Sequence, residues 1–224
     1  MFKQISILVL CIVLSIHTRS NSVVLSKPTT ANNLLTTLTS SLDINSDALK
    51  LALDGYEKLK EQGKLNNVHY LTIIDFSKPS TSNRFYVIDM EQGQLLLQTL
   101  VAHGKKSGTV FANTFSNKDA SSKSSLGFYV TGKTYIGKHG TTLELEGQEK
   151  GINDNAKERA IVIHGANYVS ESIAKQQGYI GRSLGCPAVP NDQVNTIIEA
   201  IQGASCLFVY APVKSYMRQS TLAN

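Results

Sequence analysis

A histidine and a cysteine in one short stretch carry most of the chemistry this chain can offer. Residues 160–190 read AIVIHGANYVSESIAKQQGYIGRSLGCPAVP. The apolar run Ile161 to Ile163 stops at His164-Gly165, and Cys186 follows within Gly181-Arg182-Ser183-Leu184-Gly185-Cys186-Pro187. A thiol attacks a carbonyl as its thiolate, and a nearby imidazole is the usual means of forming one. A histidine at a strand end is rigidly held and can offer one ring nitrogen to the sulfur. Its other nitrogen then needs an acceptor, for which the Gly165 carbonyl is in reach. Gly165 and Gly185, with Ser183 beside them, would let backbone N–H groups approach a developing oxyanion with no side chain between. Each residue also has a plainer reading: a turn histidine, and a cysteine that is a buried small hydrophobe or half of a disulfide.

The other histidines are weaker signals. His139, in Gly137-Lys138-His139-Gly140, sits in a glycine-rich loop that could line the same cleft. His103-Gly104 ends an apolar run and reads as structural, while His69 begins a strand and reads as peripheral. His103, His139 and His164 with Glu144 or Asp154 could gather a metal, but no paired-ligand spacing such as HExxH supports it, so no metal is expected. No phosphate-cradling glycine motif and no sign of a redox cofactor is present, and no cofactor is expected.

Short strands must hold these residues. Tyr70 to Phe76 is rich in β-branched and aromatic residues, and Phe85 to Met90 and Leu95 to Ala102 flank the turn Glu91-Gln92-Gly93-Gln94. Phe128 to Thr131, Leu143 to Leu145, Ala160 to Ile163 and Leu207 to Tyr210 are further strands. Ser116 to Ser125 reads as a surface loop. One helix interrupts the second half, with Asn191 or Asp192 as cap and Val194, Ile197, Ile198 and Ile201 on one face. Another precedes the strands: Ala48, Leu49, Ala52, Leu53, Tyr56 and Leu59 recur at helical spacing after Ser46-Asp47, and Gly63 ends the run. The expected fold is mainly β, a sandwich or barrel over 65–213, preceded by an amphipathic helix at 46–64 and followed by a tail at 214–224.

The 224 residues include 42% hydrophobic and 17% charged, which excludes disorder throughout and a multi-span membrane protein. A formal charge of +5, from scattered basic residues, gives nucleic acid no footprint to bind. Lys3, the apolar run Ile5 to Ile16 and the small polar residues Thr18, Ser20 and Ser22 read as a signal peptide over 1–20. Cys11 lies inside that run, so a lipid anchor is not expected, nor is any integral membrane segment after cleavage. A Ser/Thr/Asn-rich flexible segment follows over 21–45. Export leaves two cysteines, Cys186 and Cys206, in an oxidising compartment.

Together the motifs resemble the L,D-transpeptidases, cell-wall enzymes with a YkuD-type domain. The resemblance runs over roughly residues 65–212 and rests on His164-Gly165, Ser183, Gly185 and Cys186. The flanking stretches Lys138 to Gly140, Gly151 to Val169 and Gly181 to Pro190 are similar to the branch described as murein L,D-transpeptidase catalytic domain proteins. It implies Cys186 as nucleophile, His164 as general base, stem peptides of peptidoglycan as partners, and the periplasm or cell envelope of a bacterium as location. Where the commoner family form has histidine between Ser and Gly, this chain has Leu184, and where it has arginine after the cysteine, this chain has Ala188. Arg182 is therefore a candidate substrate contact, with His139, Asn167 and Tyr168. The implied reaction is acyl transfer from a stem tetrapeptide to an amine. The competing readings are a carboxypeptidase or cross-link hydrolase on the same residues, a zinc-dependent wall peptidase, and a non-catalytic wall-binding protein with a Cys186–Cys206 disulfide. The oligomeric state is left open.

Overall fold

In a computed structural model, Leu38 and residues 43–224 are described. The signal peptide and nearly all of the segment 21–45 lie outside the described residues. Helix α1 spans Ser46–Glu61, and its start is set by Asn45. Its side chain accepts from the N–H groups of Asp47 and Ala48, satisfying donors the first turn leaves open. At the other end Gly63 has φ +65°, and the bonds Gly63 N–H to the Lys60 carbonyl and Lys64 N–H to the Leu59 carbonyl close the helix. The buried stripe is the one read from the periodicity, with Gly55 added. A Cβ at Gly55 would lie 2.1 Å from Phe128 Cζ, so the glycine is what lets the helix sit on the sheet.

Eight strands follow: β1 (Tyr70–Asp75), β2 (Phe85–Asp89), β3 (Gln94–Thr99), β4 (Gly127–Gly137), β5 (Gly140–Gly147), β6 (Val162–Gly165), β7 (Ala188–Val189) and β8 (Cys206–Tyr210). They form one sheet in the order β3-β2-β1-β8-β4-β5-β6-β7, antiparallel except for the β1–β8 and β6–β7 pairs. The sheet curls until the chain just past β3 meets its far edge, through bridges Ala102↔Ala188 and Gly104↔Ser183. The result is mainly β and nearly a closed barrel. β1 and β8 are buried along almost their whole length, as a parallel pair covered by α1 requires.

Three further helices complete the described residues: α2 (Glu171–Gln177), α3 (Val194–Ile201) and α4 (Lys214–Gln219). α3 buries Val194, Ile197, Ile198 and Ile201, but its cap position is Gln193 and carries no side-chain bond, so neither Asn191 nor Asp192 caps it. α2 was not foreseen. It buries only Ala174 and so has no apolar face to read; Ser170 caps its start and Gly178, at φ +75°, its end. The residues after 213 are anchored rather than free. Ser220, Leu222 and Ala223 are buried, and the Tyr216 and Ser220 hydroxyls donate to the Glu149 carboxylate, which also accepts from the Phe128 N–H at 2.7 Å.

Candidate active site

Pairing on both sides of β6 assembles the site. β5 brings Thr142 opposite His164, and β7 brings Ala188 beside it. Because β6 and β7 run parallel, Cys186, two residues before Ala188, comes level with Val162, whose backbone N–H faces the sulfur. His164 is 5% exposed, and its Nδ1 donates to the Gly165 carbonyl at 2.9 Å, since a carbonyl can only accept. The lone pair of the ring is therefore on Nε2. The His139 ring, from the β4–β5 turn, stacks on His164 with centroids 4.6 Å apart. Burial, and secondarily the His139 ring, hold the His164 pKa below the usual imidazole value, against the Gly165 carbonyl, which raises it.

The Cys186 thiol donates to the Ala160 carbonyl at 3.5 Å rather than to the imidazole. Burial pushes its pKa above the ordinary thiol value, while the Val162 N–H, the charge of Arg159 and its own N–H pull it down. At neutral pH the two groups rest as thiol and neutral imidazole.

The turn before the nucleophile is fixed from within and from below. The Ser183 hydroxyl accepts from the Gly185 N–H at 3.0 Å and donates to the Cys186 carbonyl at 2.6 Å. Gly185 has φ +137°, and a Cβ there would stand 2.8 Å from the Lys123 carbonyl oxygen, so only glycine fits. The N–H of Gly185 and the hydroxyl of Ser183, expected near an oxyanion, are committed to the turn itself. Ser183 is further held by the His103 carbonyl and the Lys105 N–H. The Ser124 hydroxyl donates to the Gly185 carbonyl at 3.0 Å and accepts from the Gly104 N–H at 3.1 Å. The serine-rich stretch read as a surface loop thus forms the floor of the turn.

Other expected contacts scatter. Tyr168 packs on Gly181, and burial with Cys186 nearby pushes its hydroxyl up to about 12. Asn167 is bonded to Asn191, whose Oδ1 would be 2.4 Å from a Cβ at Gly165. Arg182 is exposed and donates to the Gly108 carbonyl at 3.2 Å and the Thr109 hydroxyl at 3.3 Å. His103 is buried apart from the His139–His164 stack, edge-on to Phe76 and accepting at Nδ1 from Arg84 at 2.8 Å; burial and that guanidinium bring it down to about 4. A cation beside it makes it a poor metal ligand. His69 pairs at the surface with Glu91, 3.4 Å away. Among the described residues, no group of three or more His, Cys, Asp or Glu side chains is placed to hold a metal ion.

Cys186 and Cys206 are both free thiols. Cys206 is fully buried on β8, with β4, β5 and β6 between it and the strand that follows Cys186, so the disulfide of the wall-binding alternative does not form. Sequence reasoning passed over Arg159, which donates to the Ser116 and Lys123 carbonyls and to Ser125 and Ser121 hydroxyls beneath this turn. Its only signal was a cation five residues before His164.

Residues 40–210 match the family model described as the L,D-transpeptidase catalytic domain. No curated protein sequence matches the chain. Among solved structures it is similar to an L,D-transpeptidase from Mycobacterium smegmatis, at 14% identity and TM-score 0.40 over 64% of this chain and 59% of that one. It is also similar to the helical cell-shape-determining protein Pgp2 from Campylobacter jejuni, at 15% identity and TM-score 0.39 over 75% of this chain and 60% of that one. This chain therefore spans about three fifths of the length of either.

Proposed function

The chain belongs to the L,D-transpeptidase catalytic-domain family, and from that premise we propose that it modifies peptidoglycan as a cysteine acyltransferase, with Cys186 as nucleophile and His164 as base. The observation that carries this reading is the fixed tautomer of His164. Its Nδ1–H is tied to the Gly165 carbonyl, which leaves a basic Nε2 on the strand next to the cysteine. Rotation of the thiol from the Ala160 carbonyl to that nitrogen starts the reaction. His164 takes the proton, and the thiolate attacks the carbonyl of the third residue of a stem tetrapeptide. The C–S bond forms, the C–N bond to the terminal D-alanine breaks, and the imidazolium returns its proton to the leaving amine. An acceptor amine then gives up a proton to His164 and attacks the thioester; the C–S bond breaks, and the departing thiolate takes that proton back from the imidazolium, restoring thiol and neutral imidazole. Water as acceptor would make the same steps a hydrolysis. The Val162 and Cys186 N–H groups face the sulfur and favour its anion. Arg182 keeps guanidinium nitrogens beyond the one on Gly108 and Thr109 for a substrate carboxylate.

Envelope peptidoglycan as substrate accords with export through the leader read at 1–20. Cys186→Ser and His164→Ala should each reduce turnover of tetrapeptide-bearing muropeptides at least a hundredfold while circular dichroism stays native. Substantial turnover by folded Cys186→Ser would end the cysteine mechanism.

A further inference from the structure

We propose that Arg159 is the positioning residue of the nucleophile: its guanidinium fastens the 116–125 loop under the Ser183–Cys186 turn and sets one fixed positive charge beside the Cys186 sulfur. The proposal rests on reading Cys186 as the nucleophile, and adds how this chain makes its thiolate accessible.

Three observations carry it. First, the guanidinium is spread over the floor of the turn, with Nη1 on the Ser116 carbonyl (2.9 Å) and the Ser125 hydroxyl (2.6 Å). Nη2 bonds the Lys123 carbonyl (2.7 Å) and the Ser121 hydroxyl (3.3 Å). Second, the same Nη2 lies 3.3 Å from where a Cβ of Gly185 would be, so the charge sits against the residue before the nucleophile and a side chain there would press on it. Third, all four acceptors are neutral oxygens, and among the described residues no carboxylate lies within ion-pair distance of Arg159. A half-buried guanidinium without an ion-pair partner keeps most of its field for neighbouring groups that can become anions.

Two such groups interact with it, the Tyr129 hydroxyl and the Cys186 thiol; burial drives the Tyr129 hydroxyl far above the ordinary phenol value, so the thiol is the one left to ionise. The titratable and charged groups around Cys186 are Arg159 from the segment before β6, His164 from β6, and Tyr168 from the chain after it. His139 lies behind His164, and Asp119 acts on Arg159 from the loop. Of these, Arg159 carries a permanent positive charge. Burial raises the thiol pKa, and Arg159 opposes that rise.

The test is the rate at which iodoacetamide, an uncharged reagent, alkylates Cys186 in the full chain across pH, located by peptide mass mapping. Arg159→Gln should slow alkylation near neutral pH about tenfold, the factor that accompanies one unit in a pKa, with the wild-type rate recovered under alkaline conditions. Arg159→Lys, which keeps the charge and loses the fork, should stay within about threefold of wild type. A folded Arg159→Gln that alkylates at the wild-type rate at every pH, or is slowed equally at every pH, would overturn the proposal. Should Arg159→Gln not fold, Arg159→Lys decides by the same threefold criterion near neutral pH. A wild-type enzyme that gave no acyl adduct with stem peptides would defeat the proposed function and leave this alkylation result standing.

Discussion

Cys186 and His164 are each pushed by burial toward the uncharged form, the thiol upward and the imidazole downward. A neutral resting pair leaves no charge on the two reacting groups until substrate arrives, and it makes the acid limb of kcat/KM a report on His164. That limb should lie below the ordinary imidazole range, because protonation of His164 must first overcome burial and then the stacked His139. His139→Ala removes the second ring and opens His164 to water, so both changes raise the His164 pKa. The acid limb of kcat/KM for this variant should move to higher pH, with activity lost sooner on acidification. A limb that stays in place, or moves to lower pH, would show that His139 does not act on His164.

At the scale of elements, the turn Ser183–Cys186 depends on a conformation that only glycine adopts without strain. Gly185→Ala must relieve φ +137° and a 2.8 Å approach to the Lys123 carbonyl. It should cost about 1–3 kcal/mol in urea unfolding and detach the Ser124 hydroxyl from the turn. Unchanged stability with wild-type turnover would mean that the turn is not rigid. The sequence displays this element unevenly. The strand into His164 and the glycine beside Cys186 stand out, because apolar runs and glycines mark local conformation. Arg159, Ser107 and Ser124 do not, because their role lies in long-range bonds, such as the Ser124 N–H to the Ser107 hydroxyl at 3.0 Å. Serine-rich composition signals a loop and says nothing of what the loop supports. Likewise α1 and α3 are legible from their apolar stripes. β7, two residues long, and α2, with Ala174 alone buried, lack a period to detect.

The whole molecule is closed at its carboxy end by a buried carboxylate. Glu149 links β4 to α4 and the last residues, and burial raises its pKa above the ordinary carboxyl value, against the hydrogen bonds it accepts from Ser220, Phe128 and Tyr216. The folded state therefore binds this proton more tightly than the unfolded chain. Its contribution to stability is greatest below the unfolded carboxyl pKa and declines as pH rises through the raised value. Glu149→Gln should remove that decline, so that its Tm falls less than that of the wild type between acidic and neutral pH. A wild-type-like fall in the variant would assign the pH dependence elsewhere. The same closed fold brings β6 and the turn before β7 together, and whether that pairing performs acyl transfer is decided most directly by intact mass spectrometry. The purified protein, incubated with tetrapeptide-bearing muropeptides, should carry one acyl group lacking the terminal D-alanine, mapped to Cys186 and absent from Cys186→Ser. Turnover without any adduct at Cys186, or an adduct retained by Cys186→Ser, would contradict it.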